Sequence, residues 1–186
     1  MPTFTIRTYG DPVLRQRAAE VTDIDASLVQ LVDGMVDALY AASGLAVAAP
    51  QVGVEKRLFV YDLNDEKGPQ TLINPVIEES GEEPWTYDEG CLSVPGLYFT
   101  IVRPKDVLVS GLDIDGNEVR IEASELMGRM LQHEIDHLDG TLLLEHLQPA
   151  QRKAGLRILR ERQVTDRRPA KGDPITIDPE GQIVDD

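Results

Sequence analysis

Two hydrophobic periods run along this chain. Over Asp25–Ala42 the apolar positions Leu28, Leu31, Val32, Met35, Leu39 and Tyr40 return every three or four residues, which predicts an amphipathic helix. The same period over Glu125–Asp139 sets Met127, Leu131, Ile135 and Leu138 on one buried stripe, with Ser124 as N-cap and Gly140 as the C-terminal stop. Gly128 inside that helix should cost about 1 kcal/mol relative to alanine, which points to close packing there. A short helix is expected over Asp11–Arg17, where Pro12 suits the first turn. Strands are expected over Arg57–Leu63, Gln70–Glu78, Gly96–Ile101, Asp106–Leu112 and Glu118–Ala123, and Asp113–Asn117 reads as a hairpin turn. These elements do not alternate as βαβ units. The expected class is α+β: antiparallel β-sheets packed around a central helix, with a C-terminal helix marked by Leu156, Ile158 and Leu159.

Composition adds limits. The 186 residues are 41% apolar, enough for one domain with a proper core, expected over 1–164, and no internal repeat is visible. From Arg168-Pro169-Ala170-Lys171 to the acidic end the sequence reads as a flexible polar tail, 165–186. A single cysteine excludes an internal disulfide and fits a reducing compartment. The N-terminal residues lack an apolar secretory core and no stretch approaches membrane-spanning length, so the cytoplasm is the expected compartment; a monomer is the default expectation, although the sequence does not set oligomeric state. The formal net charge of −15 argues against binding free DNA. Yet residues 150–171 carry eight bases (Arg152, Lys153, Arg157, Arg160, Arg162, Arg167, Arg168, Lys171) against two acids, leaving −21 on the remainder.

The chemistry concentrates in His133-Glu134-Ile135-Asp136-His137. Two histidines four apart on a helix project from one face on successive turns, at a spacing that lets both reach one divalent metal. Glu134, turned about 100° around the axis, lies near that metal without having to ligate it, the place of a general base acting on metal-bound water. A catalytic site of this kind needs a third protein ligand. His146, Glu145 and the lone cysteine, Cys91, are the candidates, although a lone cysteine is more often a small buried hydrophobe. An apolar wall of Leu126 and Met130 shares the face of the two histidines.

Three segments together resemble the peptide deformylases: Gly44-Leu45-Ala46-Val47-Ala48-Ala49-Pro50-Gln51, Glu89-Gly90-Cys91-Leu92-Ser93, and Gln132-His133-Glu134-Ile135-Asp136-His137-Leu138-Asp139-Gly140. They stand in the family's order, and the resemblance runs from about Thr5 to Gln163. It implies that Cys91, His133 and His137 hold one metal and that Glu134 is the general base. Gln51 and the backbone N–H of Leu92 would steady the oxyanion. The substrates implied are formyl-methionyl peptides and nascent chains, which would lose formate. Gly44, Leu45, Ala46, Tyr87, Glu89, Gly90, Arg103, Leu126, Arg129 and Met130 are expected around the substrate. Arg129 would contribute chiefly its methylene stem, Glu89 a structural contact, and Arg103 a contact with either the substrate or Glu89.

One departure stands out. Ala46 replaces a family glycine in a segment expected to run as an extended edge beside the substrate; if the position needs a positive φ, alanine strains it by roughly 1 kcal/mol or more. The metal is a second open point. Ligand types alone suggest zinc, whereas the resemblance implies ferrous iron, with nickel, cobalt or zinc as replacements. The basic stretch 150–171 suggests a ribosome-docking helix of the kind the family uses, beside the plainer reading of a solvated charged face. Two other functions remain as alternatives. A zincin-type metallopeptidase would take a carboxylate or histidine third ligand, and an impaired homologue would serve only as a ribosome-associated binding protein.

Overall fold

The computed structural model describes residues 4–164 and 174–184. In chain order its elements are α1 (Ala26–Ala42), β1 (Ala46–Ala48), β2 (Leu58–Tyr61), β3 (Gln70–Ser80), β4 (Pro84–Cys91), β5 (Val94–Pro104), β6 (Asp106–Leu112), β7 (Glu118–Ser124), α2 (Glu125–Leu138), α3 (Pro149–Val164), β8 (Ile175–Ile177) and β9 (Ile183–Val184). One sheet runs β1-β2-β3-β6-β7 and a second runs β4-β5-β8-β9. Every pairing is antiparallel except β5 with β8.

Side-chain alternation along the central strands explains the layers. Val47, Leu58, Val60 and Ile73 pack on one face with Leu28, Val32, Met35 and Leu39 of α1. Ala46, Ala48, Phe59, Tyr61 and Leu72 belong to the opposite cluster, with Leu131, Ile135 and Leu138 of α2. A third core joins Val94, Leu97, Phe99 and Ile101 of β5 to Leu143, Leu144 and Leu147, to Ile158 and Leu159 of α3, and to Ile177 of β8. The helix α2 therefore sits between the sheets, as the α+β reading requires. Among the described residues no helix is long and apolar enough to cross a membrane.

The N-terminal end of α2 departs from expectation, while Gly128 and Gly140 behave as expected. Ser124 makes no side-chain cap bond, and Glu125 enters the helix at φ 53°, its N–H donating to the Lys105 carbonyl. Gly128 is tightly packed, since a β-carbon there would stand 2.9 Å from the Lys105 carbonyl oxygen. At the other end Gly140 adopts φ 75° and closes a Schellman motif: its N–H donates to the His137 carbonyl, and that of Thr141 to the Asp136 carbonyl.

Other expectations need correction. Asp11–Arg17 forms only a short 3₁₀ turn, Pro12–Arg15. Tyr40 is half exposed, its hydroxyl donating to Asp62 rather than packing in the core. β4 is a strand where none was expected, and β5 starts at Val94 and runs on to Pro104. The expected tail, 165–186, differs over its described part. Ile175 and Ile177 form a strand against Leu97 and Phe99, because both apolar side chains join the third core, and Ile183–Val184 folds back on it. Residues 165–173 lie outside the described residues.

Candidate metal centre

Two elements bring the donors together. β4 ends at Cys91 in a tight turn, Leu92–Ser93, with Cys91 paired to Val94 across the hairpin. That turn presents the sulfur to α2, which supplies His133 and His137. The three ligating atoms lie within 4.8 Å of one another, and the Cys91 Sγ–His137 Nε2 separation is 3.2 Å. His146 and Glu145, the other candidates for third ligand, are engaged elsewhere, with Asp136 and Arg15 respectively. With a sulfur as third donor, the carboxylate or histidine ligand of a zincin is not in place.

The surroundings fix the chemical state of each donor. Glu89, buried at 6% exposure, accepts His133 Nδ1 at 2.6 Å. That bond leaves Nε2 of His133 for a metal, the tautomer a ligating histidine needs. Glu89 also receives Arg103 through two hydrogen bonds, 2.9 and 2.8 Å, and Arg129 at 2.8 Å. Burial works to raise its carboxyl, but the hydrogen bonds from His133 and Arg103 win and hold it well below the usual carboxylate range. Burial likewise pushes the Cys91 thiol up, and the two histidines pull it further down, well below the usual thiol range, which favours the thiolate form. A thiolate and two imidazoles converging in a buried pocket suit a single divalent metal.

Glu134 is the clearest sign that the pocket does chemistry. It is 4% exposed, and its Oε2 has no hydrogen-bond partner among the described residues. Burial pushes its carboxyl up to about 7, against the smaller downward pull of His133 and His137. A cation bound by the neighbouring ligands would pull the same way as the histidines. Gln51 enters from the 3₁₀ turn after β1. Its Oε1 accepts the Ala48 N–H at 2.9 Å, and its Nε2 donates to Ser93 Oγ at 3.1 Å and lies 3.7 Å from Cys91 Sγ. Its amide orientation is thereby fixed, with the donor end toward the ligands.

The remaining expected residues divide. Leu92 follows Cys91 in the turn, and its side chain leans on Gly44, where an added β-carbon would stand 2.9 Å from Leu92 Cδ1. The first two motifs thus touch. Gly90 makes room for the Tyr98 ring, 2.6 Å from where its β-carbon would be. Arg103 resolves to the Glu89 side and also donates to Asp136 at 2.8 Å. Arg129 corrects the expectation of a mere methylene stem: its guanidinium is buried, bonded to Glu89 and the Trp85 carbonyl, and lies 5.0 Å from the Trp85 ring centre. Leu45, Tyr87 and Leu126 are exposed, and Met130 is buried in the core. Ala46 does not have a positive φ; it pairs with Tyr61 as ordinary strand, its methyl in the cluster that also holds Tyr61 and Met130. No backbone strain attaches to that substitution. Sequence reasoning gave no role to Ser93, Trp85 or Asp136, and read His146 only as a candidate metal ligand, whereas it bonds Asp136. The charged pair Asp136 and His146, beside an expected metal helix, was the available signal.

The family model described as polypeptide deformylase matches residues 3–153. The chain belongs to the peptide deformylase family. It is 47% identical over 157 residues to peptide deformylase 1 of Corynebacterium efficiens, covering 83% of this chain and 93% of that one. It is also 47% identical over 146 residues to the peptide deformylase of Halothermothrix orenii, covering 78% and 94%. Among solved structures, a peptide deformylase from Legionella pneumophila superposes with a TM-score of 0.83 at 38% identity, covering 90% of this chain and all of that one. One from Ehrlichia chaffeensis in complex with actinonin gives 0.82 at 39%, covering 88% and 99%. As a peptide deformylase family member, the chain has a single catalytic metal, for which Cys91, His133 and His137 form a candidate site.

Proposed function

We propose that this chain removes the formyl group from the N-terminal methionine of newly made proteins, with Cys91, His133 and His137 holding the metal and Glu134 moving the proton. The observation that carries this reading is the buried, unpartnered Oε2 of Glu134 on the helix that presents both histidines. When bound, the metal supplies Lewis acidity, acidifying water and polarising the formyl oxygen. Glu134 accepts a proton from the attacking water and returns it to the departing nitrogen as the formyl C–N bond breaks. Formate and a peptide with a free α-amine leave. The Gln51 amide and the Leu92 N–H would serve as donors to the oxygen that gains charge in the transition state. β1 has an open edge beside which the peptide backbone can lie. Leu45, Tyr87 and Leu126 supply exposed apolar surface for the methionine side chain, with the stem of Arg129 and Met130 behind.

Ferrous iron is the proposed native metal, with nickel, cobalt or zinc as substitutes, and a cytoplasmic monomer the proposed working form. The test is formate release from formyl-Met-Ala-Ser by protein prepared anaerobically with iron or reconstituted with nickel. Turnover that is lost on chelation and restored by metal supports the reading; one metal bound per chain without turnover overturns it.

The C-terminal helix α3 presents exposed Arg152, Lys153, Arg157 and Arg160, and we propose that this face docks on the ribosome. Arg162 is turned inward, donating to the Pro95 carbonyl at 2.9 Å. Four phosphate contacts should weaken by about a hundredfold between 50 and 200 mM salt. Co-sedimentation with ribosomes across that range checks it, and salt-independent or absent binding would sink the docking reading.

A further inference from the structure

A continuous chain of charged groups links a surface histidine to the buried ligand His133. His146 Nε2 lies 2.8 Å from Asp136 Oδ2, and the same oxygen accepts Arg103 Nη1 at 2.8 Å. Arg103 then holds both oxygens of Glu89, and Glu89 Oε1 accepts His133 Nδ1 at 2.6 Å. We propose that His146 is a positioning residue for the metal ligand His133, acting through Asp136, Arg103 and Glu89. The inference rests on the metal-site reading above.

Three features make the link more than a surface contact. Asp136 occupies the last turn of α2, where the helix carbonyls disfavour an anionic side chain, so its carboxylate needs donors to stay folded inward. Arg103 and His146 are the donors that meet it. His146 itself is held rigidly: Leu142, Leu143, Leu144 and Leu147 are all buried around it, and the neighbouring Glu145 is tied to Arg15 at 2.7 Å. Its imidazole is therefore presented from a fixed platform while its side chain remains about one-third exposed, at 32%. Lastly, Arg103 is wholly committed to carboxylates, two bonds to Glu89 and one to Asp136. Any swing of Asp136 toward water releases one arm of Arg103 and loosens the grip on Glu89, which orients the ligating imidazole.

The pattern matches the way groups behind a ligating histidine set ring orientation and donor strength. A neutral imidazole with its proton on Nε2 suffices as donor to Asp136, so no protonation change at His146 is required. The feature belongs to this chain's own residues, since it needs a donor at position 146 in register with the acid at 136.

The experiment uses cobalt-loaded protein, comparing wild type with His146→Ala, His146→Gln and Asp136→Asn. The readouts are the visible ligand-field and thiolate charge-transfer bands and the rate of cobalt loss to a chelator. The expected result is a shifted ligand-field band and metal loss faster by about tenfold for His146→Ala and Asp136→Asn. His146→Gln, whose amide can still donate to Asp136, should restore both. If His146→Ala only lowers thermal stability, with bands and release unchanged, His146 merely anchors its segment and the proposal is overturned. A wild-type spectrum without a thiolate band would instead overturn the assignment of Cys91 as ligand.

Discussion

Glu134→Gln is expected to keep one metal per chain and to release formate at least about a thousandfold more slowly than the wild type. General acid–base catalysis by a placed side chain contributes roughly 10²–10⁴ in rate. Glu134 is asked both to take a proton and to give it back, which places the loss in the upper part of that range. A thousandfold corresponds to about 4 kcal/mol of transition-state stabilisation. The substitution preserves the shape of a side chain that is 4% exposed, so packing changes little. The ligand set of Cys91, His133 and His137 is untouched. The measurement is kcat/KM for a formyl-methionyl peptide together with metal content. Activity within tenfold of wild type at full metal content would remove Glu134 from the role of base. Lost metal would show instead that Glu134 helps to hold the ion.

The second large effect is expected at Glu89. This carboxylate faces two guanidiniums and the Nδ1 of a ligating histidine, all buried, and Glu89→Ala leaves them with Asp136 as the remaining carboxylate in the network. Removing one partner from a buried ionic network costs about 3–5 kcal/mol, because the orphaned charges stay desolvated. Loss of the hydrogen bond behind His133 should weaken metal binding by about 10–100-fold as well. Urea unfolding of metal-loaded and chelator-treated protein separates the two terms. The destabilisation should persist without metal, since Arg103 and Arg129 are stranded either way. A destabilisation below about 1 kcal/mol in chelator-treated protein would mean that water enters and solvates the guanidiniums.

What could be read in the sequence follows from which faces are apolar. α1, β6 and β7 carry one apolar face each and were legible from period alone, as was the stripe Leu131, Ile135 and Leu138 of α2. β4 was not, although it is eight residues long. Its α2-facing positions are Trp85, Tyr87, Glu89 and Cys91, which meet Arg129, Arg103 and the histidines instead of an apolar core. An alternation whose inner face is an ion cluster looks like a loop to a hydrophobicity pattern. The donor triad was visible because His133 and His137 share a helix and Cys91 sits in a distinctive segment. Of the network behind it, the Glu89–Arg103 contact was among the expectations, but the Arg129 bond was not, because Glu89 and Arg129 lie forty residues apart and nothing local pairs them. The guanidinium of Arg129 was accordingly assigned to the pocket wall by its stem. β8 escaped notice for a simpler reason: three residues with two isoleucines carry too little pattern to separate from a polar tail.

The short β8–β9 hairpin lies beyond residue 153, where the match to the family ends. Its pairing with β5 has a colloidal consequence. Without it, β5 would present a run of open N–H and C=O groups beside Tyr98 and Val102, both already exposed to water. A long bare strand edge next to apolar side chains is a template for another molecule's strand. Residues 175–184 thus act as a sheath over the Leu97–Phe99 stretch of that edge, and trimming the chain before them would trade solubility for brevity.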